Sequence, residues 1–85
     1  MLLLDTDLQI GETVYFYGVF YEGFPAKRYD KIVSGKVYNI MLTHKGEIVY
    51  TLAYNNGIDD SYASYVTRDK LFTLRKDAEE YLNKN

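Results

Sequence analysis

KIVSGKVYNIMLTHKGEIVYTLAY, residues Lys31 to Tyr54, is the longest apolar, β-branched run of the chain, and its reading decides the fold. Ile48, Tyr50, Leu52 and Tyr54 alternate with Val49, Thr51 and Ala53, the period of two that marks a half-buried strand. Val33, Val37, Ile40 and Leu42 supply the apolar side chains of the strand before it. Thr43-His44-Lys45-Gly46-Glu47 lies between, and Gly46 can take the positive φ that ends a short hairpin loop. Val37 and Ile40 are three apart and cannot share one face of a regular strand. A bulge near Tyr38-Asn39 brings both inside. Gly35 permits close backbone approach. The stretch therefore predicts a central hairpin in a sheet that curls toward a small barrel.

Outward from the hairpin, the chain has 85 residues, one domain over 1–85. Residues 1–10 read as a leading segment. Leu4, Leu8 and Ile10 share one alternating face, suited to covering a sheet edge or to pairing two copies of the chain. Thr13 to Tyr21 reads as the first full strand, ending or bending at Gly18. Glu22 to Asp30, with the single proline Pro25, reads as a long loop, the kind of segment that carries binding residues. Asn55-Asn56-Gly57 is a turn signal, and Tyr62 to Thr67 is a further strand. Arg68-Asp69-Lys70 reads as a polar turn before Leu71-Phe72 return to the core. A helix is expected over 73–84, with Thr73 as N-cap and Leu74, Ala78, Tyr81 and Leu82 as its apolar stripe.

The pieces IGETVYF (Ile10–Phe16), SGKV (Ser34–Val37) with Ile40, IVYTL (Ile48–Leu52) and LFTLRKDAEEYL (Leu71–Leu82) resemble the small SH3-like barrel proteins of short phage and mobile-element genes. The resemblance runs from Ile10 to Leu82. It implies a mainly β fold, a five-stranded antiparallel barrel with a C-terminal helix; the likeness and the small acidic build together are the ground for expecting an accessory or inhibitor role. The layout also resembles true SH3 domains, with a long loop after the first strand. Their polyproline groove normally includes tryptophan, which this chain lacks.

Composition narrows the function. There are no cysteines, which removes a disulfide framework and a thiolate zinc site and suits a reducing cytoplasm. The net charge of −2 provides no global field toward nucleic acid or an anionic membrane. No apolar run approaches the ~20 residues that span a bilayer. Met1-Leu2-Leu3-Leu4 lacks a basic start and is cut short by Asp5 and Asp7, unlike a signal peptide. The lone histidine, His44, sits at a hairpin tip without a shielding site or partner. Asp59 and Asp60 lack the ligand spacing of a calcium loop. No catalytic residue, metal or cofactor is expected.

What stands out is tyrosine: 10 of them and no tryptophan. Tyr15, Tyr17, Tyr21, Tyr29, Tyr54, Tyr62 and Tyr65 fall on the first strand, its loop and the neighbouring turns. Tyrosine offers a large rigid contact area with a polar tip, so these seven are the candidate protein-binding face. The bland alternative is that half of them simply fill the barrel. A second reading takes Arg68, Lys70, Arg75 and Lys76 as a basic patch for single-stranded nucleic acid. Asp69 and Asp77 dilute that patch. A third reading is self-association through the leucine-rich start. The expectation is a non-enzymatic protein-interaction module.

Overall fold

The computed structural model describes residues 7–83. The protein is mainly β: the described residues form four antiparallel strands in one sheet, β1 (Thr13–Glu22), β2 (Lys27–Leu42), β3 (Ile48–Asn55) and β4 (Asp60–Thr67), in the order β1-β2-β3-β4. A 3₁₀ turn (Arg68–Lys70) and one helix, α1 (Arg75–Asn83), follow. The sheet is not closed. Leu71-Phe72 contributes one bridge to β1 rather than a fifth strand.

The central hairpin forms as its residues dictate. Gly46 has φ +83°. The loop closes through Thr43 N–H to the Glu47 carbonyl at 2.8 Å and Gly46 N–H to the Thr43 carbonyl at 2.9 Å. Register slips between Val37 and Asn39, the expected bulge, so Val37 faces Leu52 and Ile40 faces Tyr50 in one core. At Gly35 a Cβ would lie 2.7 Å from the Ala53 carbonyl oxygen and 3.0 Å from the Phe16 ring. Only glycine lets β2 cross that close to β3.

The loop expected over Glu22 to Asp30 is not a loop. β1 runs through Gly18 to Glu22, and β2 begins at Lys27, leaving a turn of four residues, Gly23 to Ala26. Pro25 and Gly23 sit in that turn. The polar residues beyond them, Lys27 to Asp30, alternate into a two-stranded ribbon because Tyr29, Arg28 and Lys27 pair with Phe20, Tyr21 and Glu22. Polarity marked exposure here, and exposure is compatible with a strand.

The core gathers Leu8, Val14, Phe16, Val33, Val37, Tyr50, Leu52 and Leu71 inside the curl of the sheet. Leu8 is buried in this core, while residues 7–10 form no strand and Ile10 is exposed. Leu4 lies outside the described residues. Pairing of Tyr17 with Ile32 and Tyr15 with Ser34 puts those four on the opposite face of β1 and β2 from Phe16 and Val33. Helix α1 packs against these strands, burying Ala78 and Ile32. Its stripe is otherwise half-covered: Leu74, Tyr81 and Leu82 stay substantially exposed. The helix starts at Arg75, with the Leu74 carbonyl accepting from Asp77 and Ala78 N–H. Thr73 lies one residue further from the helix than an N-cap would. No described helix is long and apolar enough to cross a membrane.

Candidate functional site

Where the sheet fails to close, the edge of β1 faces the edge of β4. β1 is tied to the chain on either side of β4, after its end and before its start. At one end, Tyr15 and Phe72 exchange backbone hydrogen bonds of 2.7 and 3.0 Å. At the other, Tyr21 N–H donates to the Asn56 carbonyl at 2.7 Å. Asn56 is held in place because its side-chain oxygen accepts from Ile58 and Asp59 N–H, each at 3.0 Å. Gly57, at φ +94°, fits where a Cβ would overlap the Tyr21 carbonyl oxygen. Between these two pins lies a seam.

The seam is a groove of about 420 Å³. Phe16, Ala63 and Val66 form its floor, reaching into the core through the unclosed wall. Tyr17, Ile32, Tyr65 and Phe72 form its sides, with Tyr81 and Leu82 of α1 as one lip. Lys70 is the single charged residue among the described ones that line it. Phe72 and Tyr81 rings touch, with centroids 5.4 Å apart.

Tyr65 stands out in this wall. It is 70% exposed and has φ +60°, the one described non-glycine residue with positive φ. The register of β3 and β4 slips between Leu52–Ala63 and Tyr50–Val66, so Ser64 and Tyr65 together oppose Thr51. This is a β-bulge, a device that re-aims a side chain at a sheet edge. A bulky residue in the left-handed region is strained, and such strain clusters at binding sites.

The seven candidate tyrosines do not form one face. Tyr17 and Tyr65 line the seam. Tyr54 belongs to the core, its ring edge-on to Phe16 at 5.3 Å and its hydroxyl donating to the Val19 carbonyl at 3.3 Å. Tyr15 lies half-buried beneath the Arg75 guanidinium, 5.2 Å from the ring centroid. Tyr21 is half-buried beside the Asn56 loop. Tyr62 is exposed and pairs edgewise with Tyr38, centroids 5.0 Å apart. Tyr29 is exposed on the β1–β2 ribbon. Phe24, at the tip of that ribbon, is fully exposed.

The four basic residues are also divided. Arg68 makes a two-pronged ion pair with Asp7, Nε to Oδ1 at 3.0 Å and Nη2 to Oδ2 at 2.9 Å. The hydrogen bond to Arg68 holds the Asp7 carboxyl below its ordinary value, and the same bond raises Arg68. Arg75 is stacked on Tyr15. Lys70 borders the seam, and Lys76 is exposed on α1. His44 is exposed on its turn. Asp60 accepts from the Asn55 side chain at 3.4 Å. Among the described residues no group of histidine, aspartate and glutamate could hold a metal ion.

Sequence reasoning missed Phe16, Phe72, Tyr81, Leu82, Ala63 and Val66 as site residues because each reads as core. The signal that exposes them is the shortness of Leu71-Phe72. Two residues between a polar turn and a helix are too few for a closing strand. No family model matches the chain, and no curated protein or solved structure matches it.

Proposed function

We propose that the protein is a non-enzymatic interaction module that binds a protein partner in the seam between β1 and β4. The observation that carries this reading is the seam itself: an apolar groove open to solvent, bordered by exposed aromatic rings and by one strained tyrosine. Exposed apolar surface of this kind is uncommon without a partner. Tyr17, Tyr65 and Tyr81 are the anchors of the binding surface, since aromatic side chains dominate interface energetics. The two pinned ends of the sheet support an SH3-like barrel left open at one side. The absence of cysteine supports a cytoplasmic setting. An accessory or inhibitor role of the phage kind rests on the resemblance noted from Ile10 to Leu82.

The nucleic-acid reading has less behind it, because Arg68 is committed to Asp7 and Arg75 to Tyr15. The experiment is selection of a random-peptide display library on the immobilised protein. Binders should be recovered, and the double variant Tyr17→Ala, Tyr65→Gly should fail to retain them while staying folded. Retention by the variant would reject the seam as the interface. Salt-sensitive binding of a single-stranded oligonucleotide that is lost in Lys70→Ala, Lys76→Ala would favour nucleic acid instead.

A further inference from the structure

We infer that the seam receives an extended segment of the partner as an added β-strand, antiparallel to β1, and that this segment is apolar with a carboxylate. The inference rests on the interaction reading and specifies its chemistry.

The backbone carries the argument. In an antiparallel ladder, bonded and non-bonded pairs alternate. Tyr15 spends its N–H and C=O on Phe72, outside the sheet, so its pairing with Ser34 is a non-bonded one. The register from Tyr15↔Ser34 to Val19↔Asp30 is unbroken. Tyr17 and Val19 therefore also turn their N–H and C=O away from β2, toward the seam. The Val19 carbonyl is taken by the Tyr54 hydroxyl, and Tyr21 N–H by Asn56. What faces the seam without a partner among the described residues is the N–H and C=O of Tyr17 and the N–H of Val19. Three such groups in one row are a template for a strand.

The chain itself shows where the strand would run. Continued backwards from Phe72 at the same spacing, a straight strand would set its residues opposite Tyr17 and Val19. The chain leaves that line because Arg68–Lys70 wind into a 3₁₀ turn, held by Arg68 Nη1 donating to the Leu71 carbonyl at 2.6 Å. The vacated line is the seam. Edges that must stay unpaired are normally guarded by charge or proline. Here the open stretch is Tyr17-Gly18-Val19, which carries neither.

Side chains specify the occupant. A strand on this line sends alternate residues inward to Phe16 and Val66 and outward to Tyr17 and Tyr81. Both sides favour apolar residues. Among the described residues that line the groove Lys70 is the one charge, with no carboxylate beside it, so the complementary charge on the partner is negative.

The test uses a fluorescein-labelled octapeptide of alternating valine and threonine with one aspartate, followed by anisotropy and by amide shifts of the ¹⁵N-labelled protein. The peptide should bind and shift the Tyr17 and Val19 amides. N-methylation of the peptide at residues of one parity should weaken binding at least about tenfold, and at the other parity should not, because only alternate residues bond to the edge. Binding insensitive to N-methylation at both parities would overturn strand addition while leaving the interaction reading intact. Failure of the octapeptide to bind, where display-selected peptides bind, would overturn it equally. Amide shifts at Tyr17 and Val19 that grow with protein concentration alone would replace the partner with a second copy of this chain.

Discussion

Tyr15 and Phe72 exchange both of their backbone hydrogen bonds, at 2.7 and 3.0 Å, and this single bridge stands where a longer pairing would seal the sheet. Two residues further along β1, nothing described takes the outward N–H of Tyr17. Native-state hydrogen exchange should read this contrast directly. The Tyr15 and Phe72 amides should exchange slowly, through opening of the folded core. The Tyr17 amide should exchange faster by about two- to tenfold or more, since one unmade hydrogen bond is worth about 0.5–1.5 kcal/mol. Equal protection at Tyr15 and Tyr17 would mean that the seam is shut.

The far pin depends on Gly57. Its φ of +94° disfavours any side chain, and a Cβ would also overlap the Tyr21 carbonyl oxygen. Gly46 shares the positive φ, +83°, but has open space around it. Gly46→Ala should therefore cost the conformational strain alone, about 1–2 kcal/mol. Gly57→Ala should cost about 3 kcal/mol or more, because the Asn56 loop must also leave β1. Urea unfolding of the two variants gives the comparison. Equal losses would show that the Asn56–Tyr21 contact contributes little.

The fold was legible wherever alternation and turn chemistry agreed. The central hairpin, the bulge after Val37 and the role of Gly35 all follow from side-chain spacing and the steric needs of the backbone. Residues 22–30 misled because glycine, proline and charge mark exposure, and an exposed two-stranded ribbon has the same composition as a loop. The bulge at Ser64-Tyr65 was hidden because YASYV alternates well enough to pass as a regular strand. The tyrosines were legible as a surplus and illegible as a site. Whether a ring fills the core or faces solvent depends on which strand lies opposite, and pairing is set by the whole sheet. Thus Tyr54 went inside, Tyr17 and Tyr65 came to the seam, and Tyr29 went to the ribbon.

Tyr54 separates core from interface. Its hydroxyl reaches the Val19 carbonyl at 3.3 Å from a ring packed on Phe16. Tyr54→Phe should lower stability by about 0.5–1.5 kcal/mol, the worth of one hydrogen bond. Capture of selected peptides should persist within about twofold, an effect under ~0.5 kcal/mol. A variant that keeps full stability and loses binding would return Tyr54 to the interface.

Arg68 and Asp7 tie the leading segment to the 3₁₀ turn beside the seam. The bond to Arg68 depresses the Asp7 carboxyl, so the contribution is present above the ordinary carboxylate value and fades as pH falls through the depressed one. The pair is solvent-exposed, so its effect is small and screened by salt. Wild type should unfold at slightly higher urea than Asp7→Asn at neutral pH and low salt. The gap should vanish below the carboxylate range and shrink in molar salt. A gap that persists in acid would assign the effect to the shape of the side chain and not to its charge.

Tyr65 offers a test in which stability and binding move apart. An L-residue in the left-handed region bears about 1–2 kcal/mol of strain, which glycine does not. Glycine in a strand loses about 0.5–1 kcal/mol to its greater freedom when unfolded. With φ +60° and a ring 70% exposed, Tyr65→Gly should therefore leave stability unchanged or raise it by up to about 1 kcal/mol. Tyr65→Ala keeps the strain without the ring and should be the least stable of the three. Both variants should lose peptide capture, because the wall of the seam is gone. A tyrosine kept only for packing would give the opposite order, with Tyr65→Gly less stable than wild type and binding unaltered.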